Sequence, residues 1–200
     1  MDPKPELVLA SGSPRRRAIL AGAGVSFEVL EPGIDDALLP VDGGDPQRMV
    51  LALAWFKARQ VAASLAPRPG GPRWLLAADT MCFRDGVPLG KPADGREAAS
   101  MIASFAGRSH EVVTGMCMLD RASGRRHLVA DRARVALGAL GERELAAYVA
   151  SGEWRGKAGG YNYADRLAAG WPLGCEGDPE TVMGLPSRLV LPILRGGVAA

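Results

Sequence analysis

The sequence predicts an α/β fold in which helices flank a mixed β-sheet. Residues 7–9 and 74–78 are short apolar runs of the kind that form buried strands. Residues 49–66 instead show the apolar periodicity of a long amphipathic helix. Strand and helix patterns alternate along the chain, and both hairpin turns and longer crossovers connect them. The sheet should therefore contain parallel as well as antiparallel pairs.

The first part of the chain begins with the strand at 7–9 and a helix opened by Pro14, a residue that the first turn of a helix tolerates well. A second strand at 26–30 and a loop at 31–45 precede the long helix. Pro46 opens that helix, which should run to about residue 66. A stretch rich in proline and glycine then breaks the chain before the strand at 74–78.

The second part of the chain starts with a hairpin, because Asp85-Gly86 is a dipeptide typical of tight β-turns. The remaining predicted elements alternate between helix and strand. They are a helix at 96–105, strands at 109–119 and 127–137, a helix at 141–150, a glycine-rich loop at 151–160, a short strand within 170–177 and a final helix at 186–194.

Composition limits the class of protein. The 200 residues are 48% apolar, enough for one domain with a sizeable core, and we expect it to span residues 7–195 between flexible ends at 1–6 and 196–200. A net charge of +2 argues against binding to nucleic acid. The chain shows neither a signal-peptide pattern nor an apolar run of transmembrane length. We therefore expect a cytoplasmic protein without a membrane or nucleic-acid partner.

The three cysteines, Cys82, Cys117 and Cys175, are odd in number and far apart. No Cys-x-x-Cys pair occurs, so neither a disulfide framework nor a zinc site is expected. Buried thiols that pack as small apolar side chains are the expected role.

A candidate phosphate site lies at the start of the first helix. Ser11, Gly12 and Ser13 form a small-residue loop between the first strand and Pro14. The N-terminus of a helix presents free backbone N–H groups and a positive dipole end to an anion. Three arginines at 15–17 follow directly, so this segment is well suited to bind phosphate.

Lysine is rare in this chain, since only four of the 24 cationic side chains are lysines. Lys4 lies in the N-terminal tail and Lys57 in the long helix, whereas Lys91 and Lys157 each follow a glycine in a loop. Chance could produce two Gly-Lys pairs. A compact ammonium is nevertheless not interchangeable with a guanidinium at a close phosphate contact, and we therefore favour a functional role.

Asp79 is the candidate catalytic carboxylate because it follows the apolar strand at 74–78. Ligands in α/β proteins bind at the carboxyl ends of strands, where an aspartate can hold a divalent metal or accept a proton from water. A turn-capping role is the alternative, and position alone does not separate the two. The cations on nearby loops favour a phosphoryl-transfer site in which Asp79 acts.

Two other enzyme classes fit poorly. The segments 86–91 and 152–157 resemble P-loops but are one residue too short, and Pro92 or Ala158 stands where serine or threonine should hold magnesium. A Ser-His-Asp hydrolase is disfavoured because no Gly-x-Ser-x-Gly segment occurs and only His110 and His127 are present. Tyr161, close to Lys157, could stack on a base, whereas Trp154 should be a packed core residue.

Seven segments together resemble the ordered motifs of Maf-type nucleoside triphosphate pyrophosphatases, also called septum formation inhibitor Maf-like proteins. The resemblance extends from about residue 7 to residue 194. The segments are 10–16 (ASGSPRR), 53–58 with its Leu-Ala and Lys-Ala pairs, 78–80 (ADT), 89–92 (LGKP), 106–115 (AGRSHEVVTG), 151–159 with SGE and GKAG, and 182–186 (VMGLP).

This resemblance implies an elongated, two-lobed domain with a central cleft, the Maf/ITPase-like fold, which often forms a homodimer. It implies hydrolysis of a nucleoside triphosphate, typically a pyrimidine or modified nucleotide, to the monophosphate and pyrophosphate. A divalent cation, Mg²⁺ or Mn²⁺, takes part in the reaction of such enzymes. The proton acceptor of the family falls on Asp79.

The resemblance also assigns binding residues. Substrate contacts fall on Ser11, Ser13, Arg15, Arg16, Lys57, Thr80, Lys91, Lys157 and Tyr161. Arg15 and Thr80 among them, together with position 164, should govern specificity, and the metal ligands should be Asp79, Asp35 and Asp36.

The chain departs from the family pattern in two places. Asp35-Asp36 stands where the family often has a glutamate, and Ala164 replaces a base-reading glutamine. Alanine lacks the paired donor and acceptor of an amide, so a preference for thymidine and uridine triphosphates does not carry over directly. Two alternatives stay open: a phosphatase that removes only the γ-phosphate, and a non-catalytic nucleotide-binding module that regulates cell division.

Overall fold

A mixed sheet with flanking helices forms the framework of the protein, as the sequence predicts. The computed structural model describes residues 5–33, 44–65 and 71–196. Seven strands are seen in these residues: β1 (Leu7–Ala10), β2 (Phe27–Val29), β3 (Trp74–Arg84), β4 (Val87–Leu89), β5 (Arg108–Asp120), β6 (Arg126–Leu137) and β7 (Leu173–Glu176). The spatial order is β2-β1-β3-β5-β6-β7, with β4 beside β3. β1 runs parallel to β2 and β3, whereas β3 with β4 and β6 with β7 are antiparallel pairs.

Seven helices accompany these strands in the described residues. They are α1 (Pro14–Gly22), α2 (Pro46–Ser64), α3 (Gly95–Ala103), α4 (Glu142–Ser151), α5 (Tyr163–Ala168), α6 (Pro179–Met183) and α7 (Ser187–Leu194), and a 3-10 turn spans Ala158–Gly160. The side chains of Ser13, Asp45 and Asp94 cap α1, α2 and α3. None of the helices in these parts of the chain is long and apolar enough to cross a membrane.

The chain divides into two compact units, in agreement with the two lobes that the resemblance implies. The first unit contains the chain up to Asp79, Thr114–Asp131 and the chain from Gly184 onwards. The second contains Thr80–Val113 and Arg132–Met183. The predicted elongated shape, cleft and domain limits stay predictions, and of the expected flexible ends, residues 1–4 and 197–200 lie outside the described residues.

In the first unit, β1 is covered on both faces. Leu7 and Leu9 belong to one apolar cluster with residues of α1 and α7, while Val8 and Ala10 belong to another with residues of α2. Successive side chains of a strand point to opposite faces, so a wholly apolar run is what a strand buried on both sides requires.

The observed β3 is longer than the predicted strand, which the sequence ends at Ala78. The structure continues β3 through Asp79 to Arg84, because the residues beyond Asp79 pair with β4 in the register Cys82↔Leu89 and Arg84↔Val87. Asp79 therefore lies within a strand and not just past one. The parallel pairing of β3 with β1 nevertheless ends at Ala77, so Asp79 still lies at the carboxyl end of the parallel part.

Helix α2 packs against β5 with no side chain between the two backbones at Gly115. A Cβ atom at Gly115 would lie 2.5 Å from the carbonyl carbon of Val50 and 2.7 Å from the nitrogen of Leu51, closer than such contacts occur. Glycine is therefore required here, and its absent side chain sets how deeply α2 lies on the sheet.

The core of the second unit is rich in aromatic residues. Phe105, Tyr148, Trp154, Tyr161 and Trp171 belong to one buried cluster, which confirms the prediction that Trp154 is packed. Cys82 belongs to this cluster and Cys117 to the core of the first unit, so both thiols are buried as predicted, whereas the prediction for Cys175 is wrong, since it is only half-buried.

Candidate active site

The small-residue loop after β1 is closed by hydrogen bonds among its own members. Ser13 caps α1 by accepting a hydrogen bond from the backbone N–H of Arg16 at 3.5 Å. The hydroxyl oxygen of Ser11 accepts hydrogen bonds from the N–H of Ser13 at 3.2 Å and from Nη1 of Arg16 at 3.0 Å. The hydroxyl oxygens of both serines are therefore engaged in hydrogen bonds at the N-terminus of α1.

The two arginines of the predicted phosphate site differ in their contacts. Nε of Arg16 donates a hydrogen bond to the carbonyl oxygen of Gly184 at 2.8 Å, while its Nη1 binds Ser11. Arg16 thereby ties the serine loop to the segment before α7. Within the described part of the chain, Arg15 makes no hydrogen bond or ion pair, so its charge is available to a ligand. Both residues stay predicted substrate contacts.

Lys57 and Asp79 form a buried ion pair, which brings together two residues that the sequence singled out separately. Lys57 belongs to the buried face of α2 and is 8% exposed, and Asp79 in β3 is 6% exposed. Nζ of Lys57 lies 2.5 Å from Oδ1 of Asp79. Burial of an isolated charge is very costly, so each group makes the buried position of the other tenable.

The two glycine-lysine loops of the second unit lie side by side. The N–H of Gly159 donates a hydrogen bond of 3.1 Å to the carbonyl oxygen of Gly90, which precedes Lys91. The ammonium group of Lys157 donates to the carbonyl oxygen of Glu153. Lys91 and Lys157, 66 residues apart in the numbering, are therefore carried by loops that share a backbone hydrogen bond.

Tyr161 is a core residue in this structure, which argues against its predicted stacking on a base. It is 9% exposed, and its ring packs against those of Phe105 and Trp171. Its hydroxyl lies 3.1 Å from Nε2 of His110. Burial raises the pKa of Tyr161 and lowers that of His110 to about 4, so both groups are uncharged at neutral pH.

The structure shows where Thr80 and Ala164, two of the residues predicted to govern specificity, lie in the fold, and their role stays a prediction. Thr80 is half-buried in β3, and Ala164 lies in the first turn of α5, where its N–H donates to Oδ1 of Asn162 at 3.2 Å. The amide nitrogen of Asn162 donates a hydrogen bond to Oδ2 of Asp165, so both polar atoms of this amide are engaged at the start of α5. Asp35 and Asp36, two of the predicted metal ligands, lie outside the described residues.

Sequence reasoning missed a carboxylate beside the serine loop. The carboxyl carbon of Glu31 lies 2.9 Å from where a Cβ atom of Gly12 would be, and Oε1 of Glu31 forms a 2.9 Å ion pair with Arg17. Glu31 directly follows the residues predicted as the second strand. An acidic side chain at the end of a predicted strand is the signal that could have identified it as a candidate site residue.

The family comparison and the sequence relatives agree with the resemblance seen in the motifs. A family model described as Maf-like protein matches residues 6–196. A dTTP/UTP pyrophosphatase of Pelotomaculum thermopropionicum is 40% identical over 190 residues, 95% of each chain, and one of Deinococcus radiodurans is 40% identical over 200 residues, 98% of this chain and 95% of that one. The Ham1 protein of Staphylococcus aureus matches with a TM-score of 0.42 at 12% identity, over 66% of this chain and 71% of that chain. By its family match and these relatives, the chain belongs to the Maf family.

Proposed function

We propose that this protein hydrolyses a nucleoside triphosphate to the monophosphate and pyrophosphate. The observation that carries the proposal is the buried pair of Lys57 and Asp79 at the carboxyl end of β1 and β3, the edge from which the serine loop also leaves the sheet. A carboxylate held by an ammonium group beside a helix N-terminus combines a proton acceptor with phosphate-binding groups. The relatives named dTTP/UTP pyrophosphatase support the same reaction.

In this proposal the phosphates are bound by the N-terminus of α1 and by cationic side chains. Arg15 is available for that role, and we propose that Lys91 and Lys157 contact the phosphates as well. Neutralisation of charge and positioning account for most of the catalysis in phosphoryl transfer. The loops that carry the two lysines share a backbone hydrogen bond, which supports their joint action on one polyanion.

The chemical step needs one proton acceptor and one leaving group. Asp79 takes a proton from water while the water oxygen forms a bond to the α-phosphorus. The bond between that phosphorus and the oxygen bridging to the β-phosphate breaks, and its electron pair leaves with pyrophosphate. Lys57 fixes the orientation of the Asp79 carboxylate, and the cations balance the charge that develops on the leaving group.

A divalent cation fits this arrangement, with Asp79 as a ligand. Among the described residues, no cluster of three or more histidine, cysteine, aspartate or glutamate side chains could hold a metal by itself. Mg²⁺ is commonly held by only one or two carboxylates together with substrate phosphates, which Asp79 satisfies. We propose Asp35 and Asp36 as further ligands. A bound Mg²⁺ or Mn²⁺ would supply charge neutralisation at the phosphates.

For the substrate, we propose a pyrimidine nucleoside triphosphate, because the relatives are named for dTTP and UTP. Ala164 offers no side-chain amide, so the base must be recognised by other groups than the glutamine of the family pattern. Arg15 and Thr80 are the proposed specificity residues. The expected homodimer and cytoplasmic location stay predictions.

The test is a panel of standard and modified nucleoside triphosphates with Mg²⁺ or Mn²⁺, in which pyrophosphate and orthophosphate are measured separately. Pyrophosphate and monophosphate in equal amounts, with dTTP or UTP among the best substrates, are the expected products. Orthophosphate without pyrophosphate would establish a γ-phosphatase instead. Binding by calorimetry without turnover of any nucleotide would establish a non-catalytic module.

A further inference from the structure

The loop after Lys157 is held against the core of the second unit with very little free space. Gly159 adopts a left-handed conformation, with a φ of 74°, and a Cβ atom there would lie 3.2 Å from Sγ of Cys82. Gly160 is also left-handed, with a φ of 78°. Glycine reaches these conformations without the strain that other residues incur. The path of this loop is therefore fixed by its glycines and by what lies beneath them.

Two tyrosine hydroxyls bind at the end of this loop. The hydroxyl of Tyr148 in α4 donates to the carbonyl oxygen of Gly160 at 3.1 Å. The hydroxyl of the next residue, Tyr161, is hydrogen-bonded to Nε2 of His110 in β5. Each bond joins the loop to a different element, so the backbone that follows Lys157 is fixed at two consecutive residues.

The contacts of His110 indicate that its hydrogen bond to Tyr161 is the reason why a histidine occupies this buried position. His110 is buried and stacks on Phe105 with ring centroids 4.1 Å apart. Its Nδ1 is buried without a hydrogen-bond partner in the described part of the chain, an arrangement that is rare and destabilising in proteins. A phenylalanine could stack in the same place without that cost. What histidine adds at this position is the hydrogen bond to Tyr161.

We propose that Tyr161 and His110 are positioning residues for Lys157 and Lys91, and that Tyr161 does not itself touch the substrate. The proposal rests on the proposed function, in which these lysines contact the phosphates. The Tyr161–His110 bond fixes the loop that carries Lys157. The Gly159–Gly90 bond then passes that constraint to the loop that carries Lys91. Misplacement of a phosphate-binding group by about 1 Å is enough to cost on the order of 100-fold in rate.

A double-mutant cycle tests this role. Tyr161→Phe keeps the ring and removes the hydroxyl, and it is made in the wild-type chain and in the Lys157→Ala variant. The matched control is Tyr163→Phe, because Tyr163 is equally buried and its hydroxyl makes no hydrogen bond to the described residues. Release of pyrophosphate from dTTP or UTP gives kcat/KM for each variant. Calorimetry with inorganic tripolyphosphate gives a readout that does not depend on turnover.

We expect Tyr161→Phe to lower kcat/KM about 10- to 100-fold in the wild-type chain and clearly less in the Lys157→Ala variant, where only the part of the effect that reaches Lys91 remains. Tyr163→Phe should have little effect in either. Equal losses from Tyr161→Phe in both backgrounds would overturn the proposal, since a purely structural defect adds independently. The affinity for tripolyphosphate should follow the same pattern.

Two further measurements keep the outcomes separate. Should Tyr161→Phe unfold, Tyr148→Phe removes the other hydroxyl contact of the loop and should show the same dependence on Lys157. An independent loss from Tyr148→Phe would count against the proposal. Should the wild-type chain release no pyrophosphate from any nucleotide, the proposed function fails, while the cycle measured by tripolyphosphate affinity still decides whether Tyr161 positions Lys157.

Discussion

Two buried aspartates of the first unit, Asp79 and Asp120, are each paired with a cation, but in different ways. Asp120 ends β5, where its Oδ2 accepts hydrogen bonds from Nε and Nη2 of Arg73 at 3.2 and 2.7 Å. Its Oδ1 accepts further bonds from the N–H groups of Ala122 and Ser123. Asp79 accepts one hydrogen bond within the described part of the chain, from Lys57.

The difference separates a structural carboxylate from one that is available for chemistry. The hydrogen bonds of Arg73 hold the pKa of Asp120 well below its usual range, and both of its oxygens are occupied. Asp79 is held by a single ammonium group on a flexible side chain, which leaves lone pairs for water or a metal ion. Burial alone therefore does not distinguish a carboxylate that is available for chemistry. The number of hydrogen-bond donors on its oxygens, and how rigidly they are held, makes that distinction.

The comparison is tested most severely by replacing each aspartate with asparagine. Asp79→Asn should lower the rate of pyrophosphate release about 100- to 10,000-fold, the usual contribution of a general base. Asp120→Asn should leave that rate within ~2-fold and instead lower stability, because an amide cannot bind Arg73 as a charged acceptor does. Steady-state kinetics and urea unfolding of both variants give the result. Near-normal turnover in Asp79→Asn would remove Asp79 from the mechanism.

The pairing of Asp79 is tested next by Lys57→Met, which keeps the length of the side chain and removes its charge. The free energy of unfolding should fall by about 3–5 kcal/mol, since a buried carboxylate then lacks its partner. Adding Asp79→Asn to Lys57→Met should restore part of that loss, because no buried charge remains. Urea unfolding of the two single variants and the double variant measures this coupling, and strictly additive losses would contradict it.

The depth of α2 on the sheet is tested by Gly115→Ala. A methyl group would overlap the backbone of Val50, so we expect a loss of about 1–3 kcal/mol in unfolding free energy, together with a lower rate as Lys57 moves. Gly22→Ala is the control, because a Cβ there meets nothing within 4 Å. Alanine at this helix end should be neutral or stabilise by up to ~1 kcal/mol. Equal effects of the two substitutions on thermal unfolding would show that the contact does not constrain α2.

The smallest expected effect is a pH dependence of the unfolding free energy that arises from the Asp120 carboxylate. Because the pKa of Asp120 is lowered on folding, its carboxylate adds stability at pH values above its unfolded pKa of about 4. That stability is lost as the pH falls toward the folded-state pKa. The difference in unfolding free energy between the wild type and Asp120→Asn should therefore shrink below about pH 4. Urea unfolding between pH 3 and pH 7 measures it, and a constant difference would contradict the role given to Arg73.

Local patterns predicted the elements of this fold better than the contacts between them. The buried face of α2 repeats at intervals of three and four residues, and Lys57 occupies one of those positions, so its inward direction follows from the sequence. Its contact with Asp79 does not, because that contact depends on the order of strands in the sheet. The bond between His110 and Tyr161 was missed because it joins β5 to a loop 51 residues away in the chain.

Two local features also escaped sequence analysis. The extension of β3 past Asp79 arises from pairing with β4, which no property of Asp79 itself indicates. Helix α5 has six residues and lies between a glycine-rich segment and Gly170, too short for an apolar period to appear. Its cap, Asn162, was the one local sign of a helix start.

Because α2 and β5 touch through their backbones at Gly115, the distance from Lys57 to Asp79 should not depend on which apolar side chains fill the surrounding core. Where two main chains touch, their spacing is set by atoms that every residue shares, so substitutions among neighbouring apolar side chains should leave the height of the helix unchanged. A substitution in the apolar core of the first unit should therefore change the distance between Lys57 and Asp79 less than a substitution at Gly115 does.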